Sequence, residues 1–389
     1  MTSLAPSLPG RTRLALFVLS AAYFFIGATS IGIIGMLAEM SAGLDVSTSA
    51  IAGLITVFAI VYAVAAPGLQ AIVGGFPRRS LIATGVSLMA ASCFLSALAP
   101  GYWAVAASRV GMAIGAALTG PTVSAAAAAL VPPERRAQAL AAVFSGLTVS
   151  TVLGIPVSSF LAQTIGWRWA WTAVGLAAIC VVPLVLIVLD GANRGQRATL
   201  GAFAACLRNR ALVLTVSTTA LQIGGQFTTY ALLAAWIVEY LKLSHTLVPP
   251  LLFVFGVAGV AGNALSSTVE RRLGAERTVQ AGLLVAAGAL LLMAVTPPYV
   301  VTAFLLASIW SASGLLIMAP LQTRLVGLAP EIANLSLALN ASAIYVGMSV
   351  GSALAALVYT WFGVGDLPLV SVAVLGLAYA AFRFSLVSR

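Results

Sequence analysis

The sequence predicts an all-helical membrane protein with twelve spans, arranged as two pseudo-symmetric six-helix bundles. Three observations lead there. The chain of 389 residues is 61% hydrophobic and only 7% charged, whereas a soluble globular domain carries about 25% charged residues. Apolar windows long enough to cross a bilayer, about 20 residues each, recur along its whole length. The pattern also repeats: a shift of 197 residues carries Val57-Phe58 onto Val254-Phe255, Gly85 onto Gly282, Gly154 onto Gly351 and Gly166 onto Gly363.

The windows lie near 14–37, 48–72, 80–99, 102–131, 137–163 and 168–189 in the first half. In the second they lie near 211–238, 247–269, 277–296, 299–326, 332–360 and 367–386. They define spans one to twelve. The first is longer than a signal-peptide core and lacks a convincing cleavage site, so it reads as a retained span. The segment between the halves, 191–210, is rich in Gly and Arg and reads as a linker. The expected domains are therefore 1–190, the linker 191–210, and 211–389.

The net charge is +10, but the basic residues are scattered between apolar runs and form no nucleic-acid face. They report topology instead. With the N-terminus inside, sixteen basic residues fall in cytoplasmic segments, only Arg168 and Lys242 fall outside, and Arg109 lies within a span. Positive residues stay on the cytoplasmic side, so both termini are expected there, in a multi-pass inner-membrane protein. Trp103, Trp167, Trp169, Trp171, Trp236 and Trp361 sit near the predicted outer span ends, as an interfacial belt would. Trp310 lies mid-span.

Other function classes are poorly served. Cys93, Cys180 and Cys206 have no metal-site or disulfide spacing. Lys242 is the only lysine and no GxxxxGK[ST] run exists, which excludes a P-loop. No nucleophile–base constellation points to an enzyme.

Arg109 is the sharpest single residue. A charge at the bilayer centre costs about 2.5–3.5 kcal/mol, so it must face the protein interior. It either lines a cavity and binds a polar or anionic group, or is tied to backbone carbonyls between helices. Span seven carries Gln222, Gln226, Thr229 and Tyr230 on one helical face, and such a polar stripe must face protein or water. Span eleven adds Asn340 and Tyr345, and span one Tyr23. All nine acidic residues map to loops or span ends. Glu39 and Glu239, at the outer ends of spans one and seven, are the best available groups for exchanging a proton. His245 titrates in a useful range but falls in a predicted outer loop, where a solvated role suffices.

The segments SRVGMAIGAALTGPTVSAAAAAL, FSGLTVSTVLGIPVSSFLAQTIG and GGFPRRSLI carry a resemblance. The chain resembles the major facilitator superfamily, and within it the twelve-span drug-efflux group, including arabinose-efflux-permease-like and chloramphenicol-resistance exporters. Arg109 stands where the span-four motif places its buried arginine. Gly146, Gly154 and Pro156 stand where the span-five antiporter motif places its glycines and proline. Arg78 and Arg79 match the basic end of the loop motif after span two. The resemblance implies that spans one, four, seven and ten line a central cavity, which favours Tyr23, Arg109, Gln222, Gln226, Tyr230 and Trp310 as substrate contacts. One departure matters: look-alikes often read Thr-Ser-Glu-Phe in span one, whereas this chain reads Thr29-Ser30-Ile31-Gly32.

The expected function is export of a small amphipathic molecule in exchange for protons. The two halves would rock around a midplane site, driven by an ion gradient, with no cofactor and no nucleotide. A monomer in the bilayer is the expected form. An uncoupled facilitator or an importer of a small metabolite stands as the alternative, and a membrane enzyme or receptor as a remote one.

Overall fold

A computed structural model of the chain describes residues 9–132, 136–190, 208–296, 299–329 and 333–387. Its regular structure is helical throughout. Among the described residues, eleven helices are long and apolar enough to cross a membrane. Span seven, Arg210–Tyr230, falls outside that set because its threonines and two glutamines dilute its apolar run. It nonetheless packs at the centre of the second half, against spans eleven and twelve. The helical answer is forced, since a backbone in hydrocarbon must satisfy its own hydrogen bonds.

The span boundaries expected from the apolar windows hold closely. Span two is Thr48–Val73, span four Tyr102–Ala129, span eight Val248–Leu273 and span eleven Ala333–Trp361. The repeat is visible in the turns as well. Gly166 before span six and Gly363 before span twelve have φ of 90° and 94°, the left-handed region that glycine enters without a Cβ penalty. Most of the linker 191–210 lies outside the described residues, as do Glu134 and Glu331, which the same shift of 197 residues relates.

Spans one and seven are both broken, which the apolar windows did not reveal. Span one is α-helical over Gly10–Ile31, tightens to a 3₁₀ turn over Gly32–Met36 and resumes over Leu37–Leu44. Span seven stops at Tyr230, resumes over Leu233–Ala235 and widens to a π-turn over Trp236–Tyr240. The two breaks occupy matching places in the halves and touch each other across the seam.

The halves meet chiefly away from the face that carries the termini. Span two runs against span eleven, and the outer half of span five against span eight. Ser49 and Thr360 hydroxyls lie 3.4 Å apart, those of Thr56 and Ser352 2.7 Å apart. Deeper in, the Tyr62 and Tyr345 rings stack at 3.7 Å. Arg136–Val149, the other part of span five, packs instead on spans one and four of its own half. The described state is therefore closed at the face opposite the termini.

The expected tryptophan belt holds in part. Trp103, Trp169 and Trp361 are exposed, as interfacial anchors should be, but Trp167, Trp171 and Trp236 are buried inside the protein. Position near a span end fixes depth in the membrane. It does not fix which face of the helix a ring occupies.

Candidate functional site

Arg109 is fully buried. Its Nε donates to the Leu54 carbonyl at 3.2 Å, one terminal nitrogen to the Ser30 carbonyl at 2.8 Å, and the other to the Thr29 carbonyl. The guanidinium also lies over the Phe58 ring, 4.8 Å from its centroid. The geometry is that of the tied arginine, and the expectation of a cavity-lining charge is corrected accordingly. The cause is the break in span one. Thr29 and Ser30 lose regular acceptor duty where the helix tightens at Gly32, and exposed carbonyls at a helix end need donors. Hydrogen bonds to a charged group contribute about 1.5–3 kcal/mol each. Three of them exceed the insertion cost of about 2.5–3.5 kcal/mol.

Span five explains its own motif. Pro156 has no N–H to give, and the turn before it widens to a π-helix over Ser150–Gly154, a common device at functional bends. A Cβ on Gly146 would overlap the Ser20 carbonyl oxygen of span one, so only glycine permits this approach. Gly154 lies beside Ser150 within the same bend. Arg79, after span two, donates to the Leu186 carbonyl at 3.3 Å, and Arg78 opens span three next to it.

Two groups of residues converge elsewhere. In the second half, Gln222, Gln226 and Tyr230 of span seven face Trp310 and Gly314 of span ten. Gln222 Nε2 donates to the Gly314 carbonyl at 3.3 Å. Tyr230 stacks on Phe255 at 4.8 Å, and Phe255 meets Trp310 edge-on at 4.9 Å. Four of the expected substrate contacts are thus brought together, and Phe255 of span eight joins them unanticipated. Asn340 stands apart, accepting from Thr219 at 2.6 Å. Tyr23 also stands apart, in the first half, where its hydroxyl donates to the Gly120 carbonyl at 3.1 Å and meets Ser124 at 2.8 Å. The Tyr62 hydroxyl approaches the same glycine.

The second group lies at the closed face, where a cavity of about 260 Å³ opens on the seam. Glu39 of span one, Glu239 of span seven and His245 before span eight all line it, with Thr48, Ser159 and Gln163. Glu239 accepts from the Tyr359 hydroxyl at 2.8 Å. Gln163 of the first half reaches the His245 carbonyl of the second at 3.5 Å. His245 is exposed, as expected of a solvated loop residue, and it also borders this cavity. The signal that could have found it is its place three residues before Val248, where span eight begins. Among the described residues no cluster of His, Cys, Asp and Glu has the makings of a metal site.

The sequence profile of the Major Facilitator Superfamily matches residues 19–352. The chain belongs to this superfamily. As a facilitator it is a multi-pass membrane transporter and not an enzyme. The inner membrane transport protein YdhP of Escherichia coli (strain K12) is 29% identical over 93% of both chains. The probable sugar efflux transporter of Helicobacter pylori (strain G27) is 25% identical over 95% of this chain and 94% of its own. A crystal structure of a bacterial homologue of the human lysosomal transporter Spinster, inward-facing and unoccupied, superposes with a TM-score of 0.79. It shares 18% identity over 99% of both chains, a likeness of fold.

Proposed function

We propose that this facilitator exports a small amphipathic molecule in exchange for protons, with its termini in the cytoplasm. The observation that carries the reading is the cavity on the seam. An antiporter needs groups that take up a proton in one state of the machine and release it in another. Glu39 comes from one half and Glu239 from the other, so parting the halves separates them. Both line the one cavity, so opening or closing the seam changes the surroundings of the two carboxyl groups together. His245 borders the same cavity. This arrangement takes the place of the carboxylate that look-alikes carry in span one, where this chain has Ile31.

The bend in span five and the paired breaks in spans one and seven give the halves places to flex. The arginine bias supports the cytoplasmic placement of the termini. Efflux is the direction named for one relative, and it fits the span-five motif.

The test is flux in proteoliposomes across an imposed pH gradient. Wild type should accumulate substrate against its gradient when the pH difference is applied. Glu39→Gln and Glu239→Gln should each lose that accumulation yet keep substrate exchange in the absence of a gradient. Wild-type flux indifferent to the pH difference would instead make the protein an uncoupled facilitator.

A further inference from the structure

The cavity on the seam combines two carboxylates with a largely apolar lining. Glu39 of span one and Glu239 of span seven border it, and both are half-buried. Neither has an ion-pair partner among the described residues. Lys242, three residues after Glu239, is exposed and does not line the cavity. His245 is the one other titratable group of the lining. With both carboxyls ionised, the wall is therefore negative whatever the state of the imidazole. The Tyr359 hydroxyl donates to Glu239 at 2.8 Å and holds it in place. Leu37, Ala234, Val238 and Val248 supply apolar surface around them.

A carboxylate drawn partly out of water gains from a positive partner, and gains more where the dielectric is low. A cation is therefore the favoured occupant. A bare metal ion fits poorly. Calcium and magnesium take about six or more oxygens at roughly 2.0–2.6 Å, and no three His, Cys, Asp or Glu side chains gather in that way among the described residues. The cavity, at about 260 Å³, is far larger than one ion. It lies just below the range of about 300–1,000 Å³ that holds drug-sized ligands. An ammonium group carries three donors and no acceptor. The carboxylates accept some of these in charge-assisted bonds, and the Ser159 hydroxyl and Gln163 amide oxygens on the same lining are available for others. Methylene groups cover the alanine and valine surface.

We propose that the seam cavity binds a compact organic dication, a short-chain diamine, and that the bound diamine holds the halves together at this face. One ammonium meets Glu39 and the other Glu239. Each half supplies one carboxylate, so the full site exists only while the seam is closed. A ligand shifts a conformational equilibrium by its differential affinity for the two states, and the diamine therefore favours the closed seam. The site is distinct from the group at Gln222 and Trp310. Its carboxylates are those assigned above to proton exchange, and a bound diamine competes with the proton there, but binding does not rest on that reading.

The test uses the purified full chain in detergent. The probes are putrescine, cadaverine and hexamethylenediamine, and the controls are butylamine, butanediol and magnesium ion. At least one diamine should raise the melting temperature, with butylamine needing about tenfold more for the same shift and butanediol inert. Glu39→Gln and Glu239→Gln should each weaken the diamine response to the level of butylamine. Gln163→Lys keeps both carboxylates and places an ammonium in the cavity, so it should abolish the response even if the glutamine variants fold poorly. In a Thr56→Cys, Ser352→Cys chain freed of its other cysteines, the diamine should speed disulfide formation across the seam. No diamine response, equal shifts from butylamine and diamines, a matching shift from magnesium, or an undiminished response in these variants would each overturn the assignment. Crosslinking that the diamine leaves unchanged or slows would overturn the hold on the seam. All of this is read without a pH gradient, so a failure of proton coupling and a failure of this site are told apart.

Discussion

Arg109 shows how far a single residue can be read from sequence. That it must be buried, and must find oxygen acceptors, followed from the cost of a charge in hydrocarbon. Which acceptors it finds did not follow, because backbone carbonyls are the same at every position until a helix breaks. The break at Gly32 selects Thr29 and Ser30. Removing one partner of a buried charged pair typically costs about 3–5 kcal/mol. Arg109→Ala leaves no charge stranded, but it orphans three buried carbonyls, and these cost about 1–3 kcal/mol each. The variant should therefore melt well below wild type in detergent, and Arg109→Lys, a single ammonium against three acceptors, should recover only part of the loss. Melting temperatures equal to wild type would remove the pinning role. At the same scale Glu39, Glu239 and His245 were each visible, yet nothing in the sequence placed them on one wall, because the seam joins residues as many as 311 positions apart.

Among the elements, span positions were the most legible feature. Membrane thickness fixes their length, and apolar composition marks them. Breaks were illegible because a 3₁₀ or π-turn leaves the composition unchanged and only moves hydrogen bonds. Span five is the partial exception: Pro156 and its glycines announced a bend, and the π-turn lies where they stand. Gly146 is the tightest point of that element. Gly146→Ala would push span five off span one, since the methyl would sit on the Ser20 carbonyl. Overpacking of this kind costs about 1–3 kcal/mol. Expected are a lower melting temperature and slowed exchange, measured on purified protein and by counterflow. A variant that melts and exchanges as wild type would mean that span five does not hold this contact in the working protein.

At the scale of the whole molecule, the repeat was legible as a shift of 197 residues, and it returns as matched breaks and matched left-handed glycines. The state of the machine was not legible, since closure at one face depends on contacts between halves. Thr56 and Ser352 mark that closure, with their hydroxyls 2.7 Å apart. Thr56→Cys with Ser352→Cys, in a background where Cys93, Cys180 and Cys206 are replaced by serine, should form a disulfide under mild oxidant. Counterflow should stop when it forms and return on reduction. Crosslinking that leaves transport intact would show that the seam need not open.

The Arg109 bonds also bear on how the chain is made. Their acceptors lie 55 to 80 residues ahead of the arginine in sequence. At synthesis rates of about 5–20 residues per second, spans one and two are in place some seconds before span four leaves the ribosome. The arginine therefore enters a membrane in which its acceptors already wait, and it need never face lipid alone. In a chain rearranged so that span four came first, the same bonds could still form, but the charge would have to be held without them until its partners arrived.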